Sequence, residues 1–465
     1  MERSAVILQS KRKEETEWSP VRVWPRPPFH FTMEIRSLTV TSGTVVLHGW
    51  VHDLRDMGGL KFLLLRDSTG IIQVTVVKKE VSAELSQTVK DLTPESVITV
   101  TGKVQANSKV NAGLEVLPLE IIVHSKAKPE LPISVTEKAI TTGQSKRFDW
   151  RSLDLRKLKH QAIFRIQSAL LEGMSTYLLR SGFTQVFTPC ILGVASESGS
   201  EVFPIIYFDK EAFLRQDPQL HRQLTIAGGI TKVFDIGPAW RAELSHTNRH
   251  LCEHRVCAVE MAFINDEFDV MHLEEEMIIA SLRKVVEKCQ RDLDLLGVNV
   301  TIPTAPFPVI QFPDVYQIVR QRGKQIEEGD DLDAEADKIV WEYVKEKYGS
   351  DFYFINRFPW AIKPFYVMRV DDDPKYARSV DLIYRGLELS SGGQREHRHE
   401  QLLKNMKEKG MKPENLSWFT DAFKFGAPPM GGFSIGIERL TEKLLDISNV
   451  REAVLFPRDP DRLVP

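Results

Sequence analysis

The feature that most constrains the fold is a series of short alternating segments between residues 34 and 125. β-branched and apolar residues alternate there with polar ones, and the turn signals Met-Gly-Gly, Ser-Thr-Gly and Asn-Ala-Gly interrupt them. The segments are TVVLHGWVHDL, LKFLLLRDSTGIIQVTVV, ESVITVTGKVQ and GLEVLPLEIIVHSKA. About five strands in ~90 residues predict a small closed barrel, and the oligonucleotide-binding (OB) type is one option. A barrel with a purely structural role fits the same pattern.

The rest of the chain predicts a different architecture. Residues 126–150 are rich in Pro, Ser and Thr, which favours a hinge or linker. Apolar residues then recur at helical spacing, and strand patterns follow without strand–helix–strand alternation. This order predicts an α+β protein whose second domain is a mixed, largely antiparallel sheet flanked by helices. The helical patterns cover residues 160–182, 266–295 and 333–348. The later strands lie within 379–393 and 431–440, and the second of them runs into a helix that starts at Arg439.

These patterns give a prediction for the domains. Residues 1–32 mix charged residues with Pro and lack an apolar core, so we interpret them as a poorly ordered extension and not as a secretory signal. The barrel is predicted over 33–125, the hinge over 126–150 and the α+β domain over 151–465.

Composition narrows the class of protein. The 465 residues carry a formal net charge of −3, so any binding of nucleic acid needs a local patch. No apolar run is long enough to span a membrane. The four cysteines form no CxxC pair, which argues against both a disulfide framework and a zinc site and favours a reducing, cytoplasmic location. They are Cys190, Cys252, Cys257 and Cys289.

The stretch TKVFDIGPAWRAELSHTNRH (231–250) combines residues that suit a nucleotide. Arg241 and Glu243 are predicted to share one face of a strand, because side chains alternate along it. The arginine would hold an α-phosphate and the glutamate would accept from the adenine amino group. Arg249 and His250 on the following loop could reach the outer phosphates. For this stretch alone, a surface ion pair of little energetic value is the simpler interpretation.

Two later stretches favour nucleotide binding over a surface ion pair. In DLIYRGLELSSGGQR (381–395), Asp381 and Glu388 offer the oxygen ligands that Mg²⁺ prefers beside phosphates. In GGFSIGIERL (431–440), glycines allow a close backbone approach and Arg439 begins a helix. The chain has neither a P-loop motif nor a dinucleotide-binding fingerprint.

In this order, the stretches resemble the class II aminoacyl-tRNA synthetases, and in particular the aspartyl enzymes of archaeal type. The resemblance spans about residues 34–465. GFTQVFTP (182–189) is similar to motif 1, with Pro189 at a dimer interface, while 239–250 and 431–440 are similar to motifs 2 and 3. EVFPIIYFDKEAFLRQDPQL, GLELSSGGQREH and FPRDPDRL also resemble the aspartyl branch. Asparaginyl relatives, which differ before Gly-Gly-Gln-Arg, are the second choice.

The resemblance implies ATP and Mg²⁺ as cofactors. ATP would bind in a bent form on an antiparallel sheet, where the aspartate carboxylate attacks the α-phosphate. Arg241 and Arg439 would be the catalytic residues, because they stabilise charge at the α- and γ-phosphates. The implied ATP-binding residues are Arg241, Glu243, Arg249, His250, Leu251, Glu388, Gly436 and Arg439. The implied metal ligands are Asp381, Glu388 and Ser391.

The resemblance also implies an aspartate substrate, a tRNA partner and a homodimer. Arg395 would pair with the substrate's side-chain carboxylate, which suits a bidentate guanidinium. The implied substrate-binding residues are Glu197, Ser198, Gln219, Arg222, Ser391 and Arg395. In the barrel, Phe62 would stack on an anticodon base and Gln73 would hydrogen-bond one. His52 resembles the form in members that charge both tRNA-Asp and tRNA-Asn.

The amino-acid pocket departs from the family pattern at five positions. The family has glycine at 198, serine at 217, lysine at 222, an aromatic residue at 254 and aspartate at 258. This chain has Ser198, Asp217, Arg222, His254 and Ala258.

These departures bear on the substrate. In the family, the aspartate at 258 would meet the α-ammonium of the substrate. This chain lacks that aspartate, and Asp217 offers a replacement carboxylate.

The sequence leaves three candidate functions: an aspartate–tRNA ligase, a paralogue that activates another acid or serves a pathway outside translation, and a non-catalytic RNA-binding relative. Since the ATP residues are all present, adenylate chemistry is better supported than aspartate specificity.

Overall fold

The alternating N-terminal segments close into a barrel, as predicted. Alternate residues such as Leu63, Leu65 and Val74 are fully buried inside it, because successive strand side chains point to opposite faces. The strands pair in the order β1-β2-β3-β5-β4, and a helix α1 precedes β4. Their bounds are β1 Thr44–Asp56, β2 Leu60–Arg66, β3 Ile71–Val77, α1 Ala83–Asp91, β4 Val97–Ala106 and β5 Leu114–Ser125.

The computed structural model describes residues 33–110, 112–136, 140–194, 202–244 and 247–465. They divide into two compact units between Pro129 and Glu130. The extension predicted over 1–32 lies outside the described residues. Across the described ranges, none of the helices combines the length and the apolar character needed to cross a membrane.

The second unit is built on a large mixed sheet, as predicted. Eight strands pair in the order β12-β13-β14-β15-β16-β11-β10-β6, and only the β12–β13 and β10–β6 pairs are parallel. A small sheet pairs in the order β7-β9-β8. The strands are β6 Thr184–Gln185, β7 Ile191–Leu192, β8 Pro204–Tyr207, β9 Lys210–Leu214, β10 Lys232–Trp240, β11 Glu253–Ala262, β12 Val309–Gln311, β13 Phe352–Asn356, β14 Ser379–Tyr384, β15 Leu387–Arg395 and β16 Met430–Gly436.

Two long helices pack together and cover part of this sheet. The predicted amphipathic helices form: α6 begins after Asp266, whose side chain accepts from the Phe268 N–H, and it ends at Gly297 in the left-handed conformation. The apolar residues of α4 and α6 join those of the sheet in one core. The helices are α2 Gln144–Asp149, α3 Arg151–Asp154, α4 Leu158–Arg180, α5 Gln219–Ala227, α6 Glu267–Leu296, α7 Asp314–Gln321, α8 Ala334–Tyr348, α9 His399–Glu408, α10 Ser417–Thr420 and α11 Ile437–Leu444.

The segment FTQVFTP (183–189), whose pattern predicts a strand that ends at Pro189, forms a much shorter strand. Strand β6 covers only two residues. Thr188 then donates its backbone N–H and its hydroxyl to the Asp235 carboxylate. Because this side chain takes the place of a strand partner, the ladder does not continue toward Pro189.

Candidate active site

One cavity on the sheet of the second unit brings together residues from distant parts of the chain. Arg241 and Arg439 both line it, so the two arginines singled out in the sequence open onto the same space. Most of the other predicted residues line it too. Those that do are Gln219, Glu243, Arg249, His250, Leu251, Glu388, Ser391, Arg395 and Gly436.

Arg241 and Glu243 are close together, but not for the predicted reason. Strand β10 ends at Trp240, so both residues lie in the loop that follows and do not share a strand face. Their side chains still approach, with 3.6 Å between Arg241 Nη1 and Glu243 Oε1. His250 Nε2 lies 3.4 Å from the other Glu243 oxygen. Glu243 is thus held between two groups that can carry positive charge.

Arg439 occupies the first turn of α11, directly after β16 ends at Gly436. Its Nη1 lies 3.7 Å from Glu388 Oε1 and donates to the Glu388 carbonyl oxygen over 3.3 Å. Both side chains remain partly exposed to the cavity. The pair is therefore loose enough for a triphosphate or a cation to compete for either partner.

A row of paired residues crosses the sheet beneath the cavity. Asp381 pairs with Ser391, Ser391 with Ser434, Ser434 with Ala258, and Ala258 with Asp235. Directly opposed residues of antiparallel strands share a face, so these five side chains form one line, which we call the floor row. Its middle positions are small, which leaves space above them.

The carboxylates at one end of the floor row fit a divalent cation. Asp381 is buried, and its Oδ1 has no hydrogen-bond partner in the described ranges, while Lys363 donates to Oδ2 over 2.9 Å. Burial raises the pKa of Asp381 to about 6; Glu388 adds to the rise and Lys363 opposes it. Burial and then Glu388 likewise raise the pKa of Asp337 to about 7. A bound Mg²⁺ would relieve this crowding of oxygen ligands.

The inner end of the cavity holds a buried network of charges. Arg395 donates from Nε to Glu260 Oε1 over 2.9 Å and from Nη2 to the Gly432 carbonyl. Gln219 donates to the other Glu260 oxygen over 3.1 Å. Within the described residues, the Nη1 group of Arg395 makes no hydrogen bond, although the side chain lines the cavity. One edge of this guanidinium is thus available to an anion.

Arg222, predicted to contact the substrate, lies behind the cavity wall. Its side chain is fully buried and does not line the cavity. It donates to Gln219 Oε1 over 2.7 Å and to Asp217 Oδ1 over 3.1 Å, and its Nε lies 3.5 Å from Glu260 Oε2. An arginine reaches further than the expected lysine and approaches several acceptors at once, so the protein itself neutralises its charge, although its Nε has no hydrogen-bond partner among the described residues.

His254 and Glu438 line the same cavity as Arg241 and Arg439. Burial, followed by the charges of Arg241 and Arg439, lowers the pKa of His254 to about 3, so its ring is neutral at pH 7. A flat, uncharged ring suits stacking on a base. Both Glu438 oxygens accept from the Arg255 backbone N–H, and burial raises the Glu438 pKa to about 7.

Gly432 and Gly436 of the third motif have different structural roles. A Cβ on Gly432 would lie 1.9 Å from the Val259 carbonyl oxygen and 2.7 Å from Glu260 Oε2. A Cβ on Gly436 would meet nothing closer than 3.8 Å. Gly432 is therefore required by strand packing, and only Gly436 faces the cavity.

The predicted anticodon residues lie on the outside of the barrel. Phe62 is half-exposed, and Gln73 donates to Thr75 and to Glu115. His52 sits where the β1–β2 register shifts, at a bulge. Its Nδ1 is 2.8 Å from Arg66 Nη1, so it accepts from that cation.

Two of the predicted substrate-binding residues, Glu197 and Ser198, fall outside the described residues, and the cavity also contains residues that were not predicted. Lys363 and Tyr366 line the cavity but carried no sequence signal, because they come from an irregular segment after β13. Glu438 could have been found from the sequence, because it stands beside Arg439 within the third motif.

An OB-type barrel followed by this sheet and cavity defines a class of protein, the class II tRNA synthetases. Residues 143–460 match the family described as tRNA synthetases class II (D, K and N), and residues 45–124 match the OB-fold nucleic acid binding domain. The chain therefore belongs to the D, K and N group of class II tRNA synthetases.

Individual relatives are similar over most of their length. An aspartate–tRNA(Asp) ligase of Pyrococcus horikoshii is 43% identical over 436 residues, covering 94% of this chain and 99% of the relative. An aspartate–tRNA(Asp/Asn) ligase of Archaeoglobus fulgidus is 44% identical, covering 90% and 96%. The crystal structure of P. horikoshii asparaginyl-tRNA synthetase with asparaginyl-adenylate matches with a TM-score of 0.84 and 32% identity, covering 91% of this chain and 96% of that chain.

Proposed function

We propose that this chain is an aspartate–tRNA ligase that activates aspartate with ATP and transfers it to tRNA. The observation that carries the proposal is the shared cavity of Arg241 and Arg439, with acidic side chains between them and a buried cation, Arg395, at the inner end. The names of the most similar relatives support aspartate as the amino acid.

The reaction joins two anions, so charge must be neutralised at the point of contact. An aspartate carboxylate oxygen attacks the α-phosphorus, the bond to the bridging oxygen breaks, and pyrophosphate leaves with that electron pair. Arg241 lies between carboxylate and α-phosphate and offsets the developing charge, while Arg439 holds the far end of the triphosphate. The neutral ring of His254 stacks on the adenine, and the Glu243 carboxylate accepts from its amino group. Most of the acceleration comes from positioning.

Mg²⁺ would be held by Asp381, Glu388 and Ser391. When bound it supplies charge neutralisation to the phosphates. The orphaned Asp381 oxygen and the raised pKa of this carboxyl support the assignment. We also assign a homodimer formed around motif 1, which the 83% exposed Phe187 supports, since large exposed apolar side chains mark interfaces.

The test is ATP–pyrophosphate exchange with each amino acid in turn. Aspartate-dependent exchange is expected, and Arg241→Ala is expected to slow it by about 10²–10³-fold. Arg255→Ala is the matched control, because this exposed arginine pairs with Glu253 and does not line the cavity. Exchange with another acid alone would favour the paralogue, and silence with every acid would favour the RNA-binding relative.

The tRNA substrate requires a separate assay. The relatives include ligases named for tRNA(Asp) and for tRNA(Asp/Asn), and His52 resembles the latter group. We therefore expect this chain to charge tRNA-Asn as well as tRNA-Asp transcripts. Charging of tRNA-Asp alone would contradict the broader specificity but leave the aspartate activity intact.

A further inference from the structure

The inner end of the cavity presents charges of both signs to a ligand. Arg395 offers a cation there, and none of the residues that the structure describes hydrogen-bonds to its Nη1 edge. An α-amino acid also carries an ammonium, which needs a negative or strongly accepting group nearby. Asp217, two residues before α5, lines the same cavity and is near enough for the charge of Arg395 to act on it.

The Asp217 carboxylate is held over the floor row. Arg222 donates to Oδ1 over 3.1 Å and is itself anchored to Glu260, the next residue along the same face of β11 after Ala258. Ser434 also lies close enough for its hydroxyl to act on Asp217. Ser434 is the direct cross-strand partner of Ala258. The contacts of the carboxylate thus lead to two neighbours of Ala258 in the sheet, Ser434 and, through Arg222, Glu260.

The Asp217 carboxylate remains charged and can accept further hydrogen bonds. Burial would raise the pKa of Asp217, but Arg222, the Ser434 hydroxyl and Arg395 together lower it below the usual value. Among the described residues, only Arg222 makes a hydrogen bond of normal geometry to this carboxylate, which can accept about four. The buried Ser434 Oγ also makes no hydrogen bond of normal geometry within the described residues. Unused acceptors therefore converge on the space above Ala258.

Ala258 itself contributes no polar group to this space. It is fully buried and packs with Ala239 and Val256. An ammonium lying there without Asp217 would be desolvated and would lose its charged partner, and this costs free energy. The arrangement makes the negative charge of Asp217 the counterpart of the positive charge of Arg395.

We infer that Asp217 binds the α-ammonium of the amino-acid substrate, with Arg395 as the partner of the side-chain carboxylate and Arg222 as the positioning residue that fixes Asp217. The inference rests on the proposed function and deepens it. The pocket then selects a substrate that carries both an ammonium and a second carboxylate. A dicarboxylate without the amino group, such as succinate, satisfies only Arg395.

The test compares aspartate with succinate in the full-length protein. The KM for aspartate in pyrophosphate exchange and the Ki of succinate are measured for the unmodified chain and for Asp217→Asn. We expect the aspartate KM to rise by about 10- to 100-fold, as for a lost charged hydrogen bond. The succinate Ki and the KM for ATP are expected to change by less than about 3-fold. A purely structural role would weaken both dicarboxylates alike.

A second pair of variants moves the charge within the pocket. Ala258→Asp alone places two carboxylates together, and we expect weaker aspartate binding because like charges repel. Asp217→Ser with Ala258→Asp returns a single carboxylate to the same space and is expected to recover aspartate binding at least about 10-fold over Asp217→Ser alone.

The outcomes distinguish a failure of the Asp217 inference from a failure of the proposed function. If Asp217→Asn shifts aspartate and succinate equally, or shifts neither, Asp217 does not bind the ammonium and the inference is overturned. Stronger aspartate binding by Ala258→Asp alone would also overturn it. If the unmodified chain gives no exchange with aspartate, the proposed function fails and the inference falls with it.

Discussion

Replacing Glu274 by glutamine is expected to remove a pH-dependent loss of stability from the second unit. Glu274 lies on α6, fully buried under the sheet, and within the described part of the chain neither of its oxygens has a hydrogen bond of normal geometry. Burial raises its pKa from 4.5 to about 8; the Asp381 carboxylate adds to the rise and the Ser390 hydroxyl opposes it. The folded protein therefore holds this proton more tightly than the unfolded chain does.

The sign and size of the effect follow from that difference. A raised folded-state pKa gives stability that is fully present below pH 4.5 and is lost as the pH rises toward 8. With 1.36 kcal/mol per pKa unit, the loss is about 1 kcal/mol at pH 5, about 3 kcal/mol at pH 7 and about 4 to 5 kcal/mol at pH 8.5. Glutamine stays neutral, so Glu274→Gln removes the slope. Any cost of burying the amide is the same at every pH.

The measurement is urea unfolding of both proteins at pH 5, 7 and 8.5 and constant ionic strength. The unfolding free energy of Glu274→Gln, minus that of the unmodified chain, is expected to rise by about 4 kcal/mol across this range. Glu276→Gln makes the same chemical change at a half-buried position of α6 and is the matched control. Parallel pH curves for Glu274→Gln and the unmodified chain would refute the reasoning, because they would mean that Glu274 titrates normally.

Two further predictions concern packing and RNA binding. Gly432→Ala is expected to destabilise the second unit by about 3 kcal/mol or more, because the new methyl meets the Val259 carbonyl at 1.9 Å, whereas Gly436→Ala should cost within about 1 kcal/mol. Thermal unfolding checks both, and equal melting points would contradict the packing argument. Phe62→Ala is expected to weaken tRNA binding by about 10- to 100-fold, the worth of one stacked base, and to leave pyrophosphate exchange unchanged. Unaltered tRNA affinity in a filter-binding assay would exclude this stacking role.

The predictions from the sequence succeeded where a local pattern carries the information. The barrel follows from alternation, because a period of two assigns residues such as Leu63 and Leu65 to the inner face. The long helix α6 follows from its amphipathic spacing and from its end signals Asp266 and Gly297. The motif resemblance added the candidate residues of the cavity, and the chain's membership of the synthetase family is confirmed by the comparisons.

The predictions failed where the answer depends on distant segments. Arg241 and Glu243 do not share a strand face, because β10 ends at Trp240, a limit set by its pairing with Glu253 on β11. Lys363 reached the cavity without a sequence signal.

The sequence by itself determined which elements form and which residue types are available for binding a nucleotide and an acid. Only the tertiary structure decided which of those residues meet. Strand β11 lies between β10 and β16, and this pairing sets Ala258 beside Ser434, 176 positions later, under the carboxylate of Asp217. Periodicity fixes the face of one element, whereas the contents of a cavity depend on long-range pairing and on which charges the protein already neutralises, as it does for Arg222.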